Sequence, residues 1–313
     1  MEHITLAQSD LSVSRLCLGT MLFGSRDDEN TSRTLLDRFV EAGGNFLDTA
    51  NIYAHWVDGC SGGESEELLG RWMSDRGNRD DLVIATKAGF EYPGVERGLS
   101  AELIVEECDK SLKRLGIDRI DLYYAHRDDR NTPIEETLEA FDRLVDAGKV
   151  RYIGASNFAA WRLQKSLGVS ERERRPSYIG IQQRYSYLRP RVGTSFDPQL
   201  AASEELIDLC RTGGFPLLPY SPLLGGAYAR EDRTFSPQYN GPDSEARLRV
   251  LREVAGELGV TANQVVIAWM LGHDFPVVPV VAASTVQQIE ENIAAEALTL
   301  TGERMKRLNE AGV

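Results

Sequence analysis

Asp48, Tyr53, Lys87 and His126 are residue types that do one kind of chemistry when they are brought together. A free phenol has a pKa of about 10 and is a poor acid or base at neutral pH. A neighbouring ammonium favours the phenolate and lowers that value. A carboxylate paired with the ammonium holds it in place and keeps it protonated. A histidine nearby can donate a hydrogen bond to a substrate oxygen. Such a set can protonate a carbonyl oxygen as hydride arrives at the carbon. Lys87 is the only lysine in the first hundred residues and sits at the end of an apolar run, where a buried lysine is rare without a partner. Ser156 and Asn157, Gln182, and Tyr220 with Ser221 stand at the ends of later apolar runs.

Each of these residues also has a plainer reading. Asp48 serves equally as a turn or cap residue, Tyr53 as a packing aromatic and His126 as a satisfied structural histidine. Ser156-Asn157 reads as a helix cap before 158–167. His55, Trp56, Phe23, Phe90 and Tyr92 read as pocket lining or as packing, and Cys60 as incidental. What distinguishes the readings is whether the fold brings the four to one place.

The elements that must do so are visible as short apolar runs alternating with amphipathic stretches. The runs are 15–18, 45–48, 82–86, 120–124, 150–154, 179–182, 216–219 and 277–281. Several are continuous or β-branched in character, as strands buried on both faces are. The intervening stretches predict helices over 30–42, 64–75, 100–115, 133–147, 159–167, 201–211, 244–258, 261–271, 286–295 and 301–309. Asn30, Ser100 and Thr132-Pro133 read as start signals. Eight strands alternating with helices predict an α/β fold, a closed (β/α)8 barrel of the TIM type, over a single domain 1–313. An open doubly wound sheet is the alternative, but no strand is followed by G-x-G-x-x-G. Residues 4–6 and 11–13 flank a Ser-Asp turn and predict an N-terminal β-hairpin that plugs the barrel bottom. Residues 224–243, rich in Gly, Pro, Arg and Tyr, predict a long loop after the seventh strand. Because barrel strands end at the active-site face, Asp48, Lys87 and His126 fall on one rim, with Tyr53 on the loop beyond Asp48.

Composition narrows the function. The chain has 313 residues with a formal net charge of −13, which weighs against nucleic acid or an anionic membrane as partner, since phosphate neutralisation needs a basic face. No transmembrane run and no N-terminal signal pattern is visible. The four cysteines (17, 60, 108 and 210) are scattered, without metal-ligand spacing. They read as reduced thiols of a cytoplasmic protein, and no metal is expected.

The segments LCLGTMLFG, NFLDTANIYA, LVIATKAGF, IDLYYAHRDD with NTPIEET, GKVRYIGASNF, LLPYSPLLGG and IEEN occur in order between about residues 15 and 292. With them the chain resembles the aldo-keto reductase superfamily, and the G-G-E-S-E run at 62–66 and the long late loop look like its branch of bacterial and potassium-channel β-subunit members. The resemblance implies a barrel that binds NADP or NAD without a Rossmann fold. It implies Tyr53 as proton donor, Lys87 and Asp48 as its tuning pair and His126 as the carbonyl-orienting residue. Ser156, Asn157 and Gln182 would hold the nicotinamide carboxamide, and Tyr220 would stack on its ring. The backbone of Ser221, Leu223 and Gly225 would face the pyrophosphate. Thr20 and Asp48 line the cofactor side, and Ser284, Gln288, Glu291 and Asn292 lie toward the adenosine. Members that prefer NADPH usually carry Arg or Lys just after the eighth strand, whereas 278–292 holds neither. Weak discrimination of NADP over NAD is therefore expected.

The expected activity is reversible reduction of a small aldehyde, ketone or sugar-like carbonyl. Two rivals stand beside it: a nucleotide-binding regulatory barrel that senses redox state and turns over slowly, and an aldolase using Lys87 as a Schiff base. The substrate, the physiological direction and the oligomeric state, a homo-oligomer included, stay open.

Overall fold

The computed structural model describes residues 1–6 and 8–312. The apolar runs become eight parallel strands: β3 (Cys17–Gly19), β4 (Phe46–Asp48), β5 (Val83–Ala88), β6 (Ile120–Ala125), β7 (Val150–Ser156), β8 (Tyr178–Arg184), β9 (Leu217–Tyr220) and β10 (Val280–Val281). They pair in chain order, with β10 returning to lie beside β3. The remaining seam is closed just ahead of β10. There the Leu217 N–H donates to Pro276 O at 3.0 Å and the Val278 N–H donates to Leu217 O at 2.9 Å. The expected (β/α)8 barrel is thus observed, and the open sheet is not. The last strand is shorter than the run 277–281 suggested, because Pro279 has no N–H to give to a ladder.

The helices are α1 (Glu29–Glu41), α2 (Glu64–Arg76), α3 (Ala101–Leu115), α4 (Ile134–Asp146), α5 (Ala160–Glu173), α6 (Glu204–Gly213), α7 (Pro242–Leu258), α8 (Ala262–Leu271), α9 (Val286–Ala294) and α10 (Gly302–Glu310). Several start signals differ from those read in the sequence. Asp28, not Asn30, caps α1 by accepting from the Thr31 N–H at 2.8 Å. Pro133 itself precedes α4, while the Thr132 hydroxyl is drawn off to Asp129 at 2.6 Å. Ser203 caps α6, and α7 begins two residues early with Pro242 in its first turn. Ser100 caps α3 as expected. Asn157 does not cap α5, whose N-cap is Ala159.

Two strands precede the barrel, β1 (His3–Thr5) and β2 (Ser12–Ser14), paired antiparallel. Leu6, Leu11 and Val13 of this hairpin are buried with the inward layer Cys17, Phe46, Val83, Ala85, Leu122 and Val278, so the hairpin closes the bottom of the barrel as expected. The period-2 geometry of a strand then determines what stands above that apolar layer. Phe46 is followed two residues on by Asp48, Ala85 by Lys87 and Leu122 by Tyr124. One face of each strand is apolar below and polar at the strand-end opening.

Candidate active site

Lys87 is fully buried, with its Nζ donating to three oxygens: Asp48 Oδ2 at 2.6 Å, Thr49 O at 2.6 Å and the Tyr53 hydroxyl at 2.8 Å. An ammonium has three protons, and all three are used. The other carboxylate oxygen, Asp48 Oδ1, accepts from Gln182 Nε2 at 2.8 Å. A buried ion pair persists only when its remaining capacity is satisfied, and here it is. Ala54, immediately after Tyr53, is buried in left-handed backbone at φ 75°, a conformation costly for a residue with a Cβ. It turns the chain sharply behind the phenol. His126 follows β6, with its ring centroid 6.1 Å from that of Tyr53. The fold therefore gathers Asp48, Tyr53, Lys87 and His126 at one end of the barrel.

Burial raises the Tyr53 phenol well above its ordinary range, and the Asp48 charge adds to this. Burial also pulls the Lys87 ammonium down, against the Asp48 carboxylate that supports it. The sequence reading assigned the ammonium the deciding influence on the phenol; in the folded chain desolvation decides, and Tyr53 is held as the neutral, proton-carrying form. His126 is pushed well below 6.5 by burial and then by the Lys87 charge, so it is a neutral imidazole. Its buried Nδ1 has no hydrogen-bond partner among the described residues. A lone pair is less costly to leave unpaired there than an N–H, which assigns the proton to Nε2.

That shift has a sign for stability. The unfolded chain takes up this proton near pH 6.5, and the folded chain only well below it. Stability should therefore fall as pH drops below about 6.5, with His126 contributing about 1.4 kcal/mol per pH unit. Melting curves of the protein and of His126→Gln at pH 7.5 and 5.5 test this. The variant should lose less stability over the interval, and an equal loss would overturn the account.

The nucleotide-side candidates lie in an arc over β7, β8, β9 and α9. Asn157, at φ 57°, donates to His126 O at 3.0 Å and to Ser156 Oγ at 3.1 Å. It accepts from the half-buried Tyr220 hydroxyl at 2.8 Å and from the Leu200 N–H at 3.0 Å. Ser221, Leu224 and Gly225 are all left-handed, so the segment after Tyr220 curls tightly, with Leu223 inside the turn. A Cβ added at Gly225 would meet nothing within 4 Å, leaving open space over the turn. Ser284 is exposed ahead of α9, where Thr285 caps the helix and Gln288 Oε1 accepts from the Ser284 N–H at 2.9 Å. A half-exposed ring, an open left-handed turn and a helix N-terminus in one arc suit a ring, a pyrophosphate and an adenosine in turn. Three candidates have other duties. Thr20 is fully buried and donates to Asp48 O at 3.0 Å. Asn292 is buried and donates to Ala282 O at 3.1 Å. Glu291 accepts from Thr261 at 2.5 Å and from Asn263 at 3.3 Å, and so faces α8.

The sequence reading missed the frame behind the site. In the G-G-E-S-E run, the Ser65 hydroxyl donates to Thr20 O and accepts from Thr49, joining the loops after β3 and β4. Glu66, fully buried, accepts from Thr86 at 2.5 Å and from Arg114 at 2.6 Å. A Cβ on Gly63 would lie 2.5 Å from Arg114 Cδ, so that glycine is what admits the arginine. The only signal in the sequence was the run itself, and nothing in its spacing named its partners.

The fold and this site define a barrel oxidoreductase. The chain belongs to the aldo/keto reductase family, whose model matches residues 15–312. It is 35% identical to the uncharacterised oxidoreductase YrpG of Bacillus subtilis, over 99% of this chain and 95% of that one. It is 32% identical to a probable voltage-gated potassium channel subunit beta of Arabidopsis thaliana, over 94% of this chain and 91% of that one. Among solved structures it is similar to a thermostable aldo-keto reductase crystallised with the inhibitor epalrestat. The TM-score is 0.78 at 28% identity, over 99% of each chain. The family generally uses NAD(P)H and acts on small carbonyl compounds.

Proposed function

We propose that this chain, acting as one barrel domain, is an NAD(P)H-dependent carbonyl reductase. It reversibly converts an aldehyde, ketone or sugar-like carbonyl to an alcohol with Tyr53 as proton donor. The observation that carries this reading is the Lys87 ammonium bonded at once to Asp48, Thr49 O and Tyr53. The nicotinamide, when bound, supplies the hydride. Tyr220, the 221–225 turn, Ser156, Asn157, Gln182 and the α9 N-terminus are the residues that would hold it. His126 donates from Nε2 to the carbonyl oxygen and orients it. Tyr53 delivers its proton to that oxygen as negative charge builds there, and Lys87 donates a hydrogen bond to the phenolate left behind. In the oxidising direction the same groups return the proton. Trp56, 44% exposed, stands 6.5 Å from Tyr53, and Phe90 lies edge-on to His126 at 4.7 Å. These rings favour a substrate with an aromatic or otherwise flat apolar face. The four cysteines are unpaired, in keeping with a reducing, cytoplasmic setting.

The Schiff-base alternative is disfavoured because Nζ is fully buried and, as an ammonium bonded to three oxygens, presents no lone pair to a carbonyl carbon. The likeness to a channel subunit favours one second reading, a barrel that binds nucleotide and reports redox state to a partner. Turnover of 4-nitrobenzaldehyde separates the two. Multiple turnovers per second are expected of a reductase, and a rate limited to about one turnover per bound nucleotide would overturn it.

The same assay with each cofactor tests selectivity. Among the described residues no Arg or Lys stands between Val278 and Asn292, while the buried Asp27 faces the Ser284 hydroxyl. Arg230, on the long loop, is already paired in two places with Asp232. A carboxylate without a facing guanidinium offers nothing to a 2′-phosphate. NAD should therefore be accepted comparably, and Ser284→Arg should raise NADP affinity. An NADP preference in kcat/KM above about 1,000-fold, roughly 4 kcal/mol, would overturn this.

A further inference from the structure

Glu107 on α3 is 1% exposed and takes no part in the chemistry above. A buried carboxylate is costly unless donors surround it, and this one has three. Asn51 Nδ2 donates at 2.6 Å and the Tyr92 hydroxyl at 2.7 Å, both to Oε2, while Lys110 Nζ donates to Oε1 at 2.9 Å. Asn51 is fully buried and lies two residues before Tyr53, and its N–H donates to Lys87 O at 3.2 Å. Tyr92 belongs to the loop after β5, and Gly62 brings the two together. At φ 101°, a Cβ there would fall 2.9 Å from the Tyr92 ring and 3.3 Å from Asn51 O. One carboxylate thus ties together the segment carrying the phenol and the loop after β5, with the glycine turn ahead of α2 packed against both.

We infer that Glu107 is a positioning residue for Tyr53, acting through Asn51 and Tyr92; this rests on Tyr53 being the proton donor. Two routes fix the phenol. Lys87 holds its oxygen, and Asn51 holds the backbone from which it projects. The first fixes one atom of the side chain, and the second fixes the chain two residues ahead of it. Because Asn51 and Tyr92 share Oε2, a neutral amide oxygen in its place can accept both bonds. The remaining donor, Lys110, keeps its partner Glu106 at 2.7 Å. The hydrogen-bond acceptor, and not the charge, is therefore what the position requires.

The test compares kcat, KM for 4-nitrobenzaldehyde and cofactor affinity in the full-length protein and its variants. Glu107→Ala should lower kcat by about 10- to 100-fold, the scale set by small misplacements of a reacting group. Cofactor affinity should stay within twofold, and Glu107→Gln should recover kcat to within about threefold of the parent. In a Tyr53→Phe background, Glu107→Ala should cost less than about twofold more, because the group it positions is already gone. If Glu107→Ala does not fold, Asn51→Ala carries the same comparisons. An equal loss with and without the Tyr53 hydroxyl would overturn the proposal by making the effect general. A large loss in Tyr53→Phe with none in Glu107→Ala or Asn51→Ala would overturn it while leaving the proton donor standing. Undiminished activity in Tyr53→Phe alone would overturn the reading on which it rests.

Discussion

Tyr53→Phe should lower kcat for carbonyl reduction by at least about 10²–10⁴-fold, the range general acid catalysis supplies, with cofactor affinity nearly unchanged. The substitution keeps the ring, its packing near Trp56 and His126 and the Ala54 turn behind it. It removes one oxygen and the proton on it. On the proposed mechanism His126 would still face the carbonyl from Nε2, but a neutral imidazole is a poor substitute for the missing acid. The Lys87 ammonium loses an acceptor yet retains Asp48 and Thr49 O, so the fold should tolerate the change. Stopped-flow measurement of nucleotide oxidation with a saturating aldehyde gives the rate directly. A variant retaining a tenth of the parent kcat would overturn the assignment.

Lys87→Met has two expected consequences, and they separate. The first is on stability. Asp48 is buried beside Lys87, and without the ammonium its carboxylate keeps the Gln182 amide but loses its cation. An uncompensated buried charge of this kind costs about 3–5 kcal/mol. The second is on chemistry. Without the ammonium, nothing offsets the burial and the Asp48 charge that hold the phenol pKa high. Alcohol oxidation near neutral pH should fall sharply and recover in part as pH rises and phenolate forms. Asp48→Asn should disturb the profile less than Lys87→Met, because it takes away a charge that raises the phenol while leaving the ammonium bonded to it. Adding Asp48→Asn to Lys87→Met removes both charges, so much of the stability should return while the activity stays low. Chemical denaturation and the pH profile of alcohol oxidation read the two effects independently. An unchanged profile in Lys87→Met would show that the ammonium does not tune the phenol.

The amino-acid sequence by itself determined the barrel and made the four candidate residues legible. Alternation of buried strands with amphipathic helices is a local property. So is the rule that places a strand's last inward residue at the open end, and so Asp48, Lys87 and His126 were legible one strand at a time. Tertiary structure decided the rest. The Gln182 amide reaches Asp48 across 134 residues of chain, and Asn51 reaches Glu107 across 56. A hydrogen bond between distant segments leaves no periodicity in either. It exists only because packing brings the two backbones together, often at a glycine such as Gly62 or Gly63 whose missing side chain is the room for the partner. The same holds for caps. Asp28 and Asn30 are chemically alike as acceptors, and the path of the chain into α1, not residue type, selected Asp28. The phenol's pKa is the sharpest case. Sequence names the ammonium that would lower it, but the opposing desolvation is a property of the whole surrounding volume, and only the folded chain has that volume.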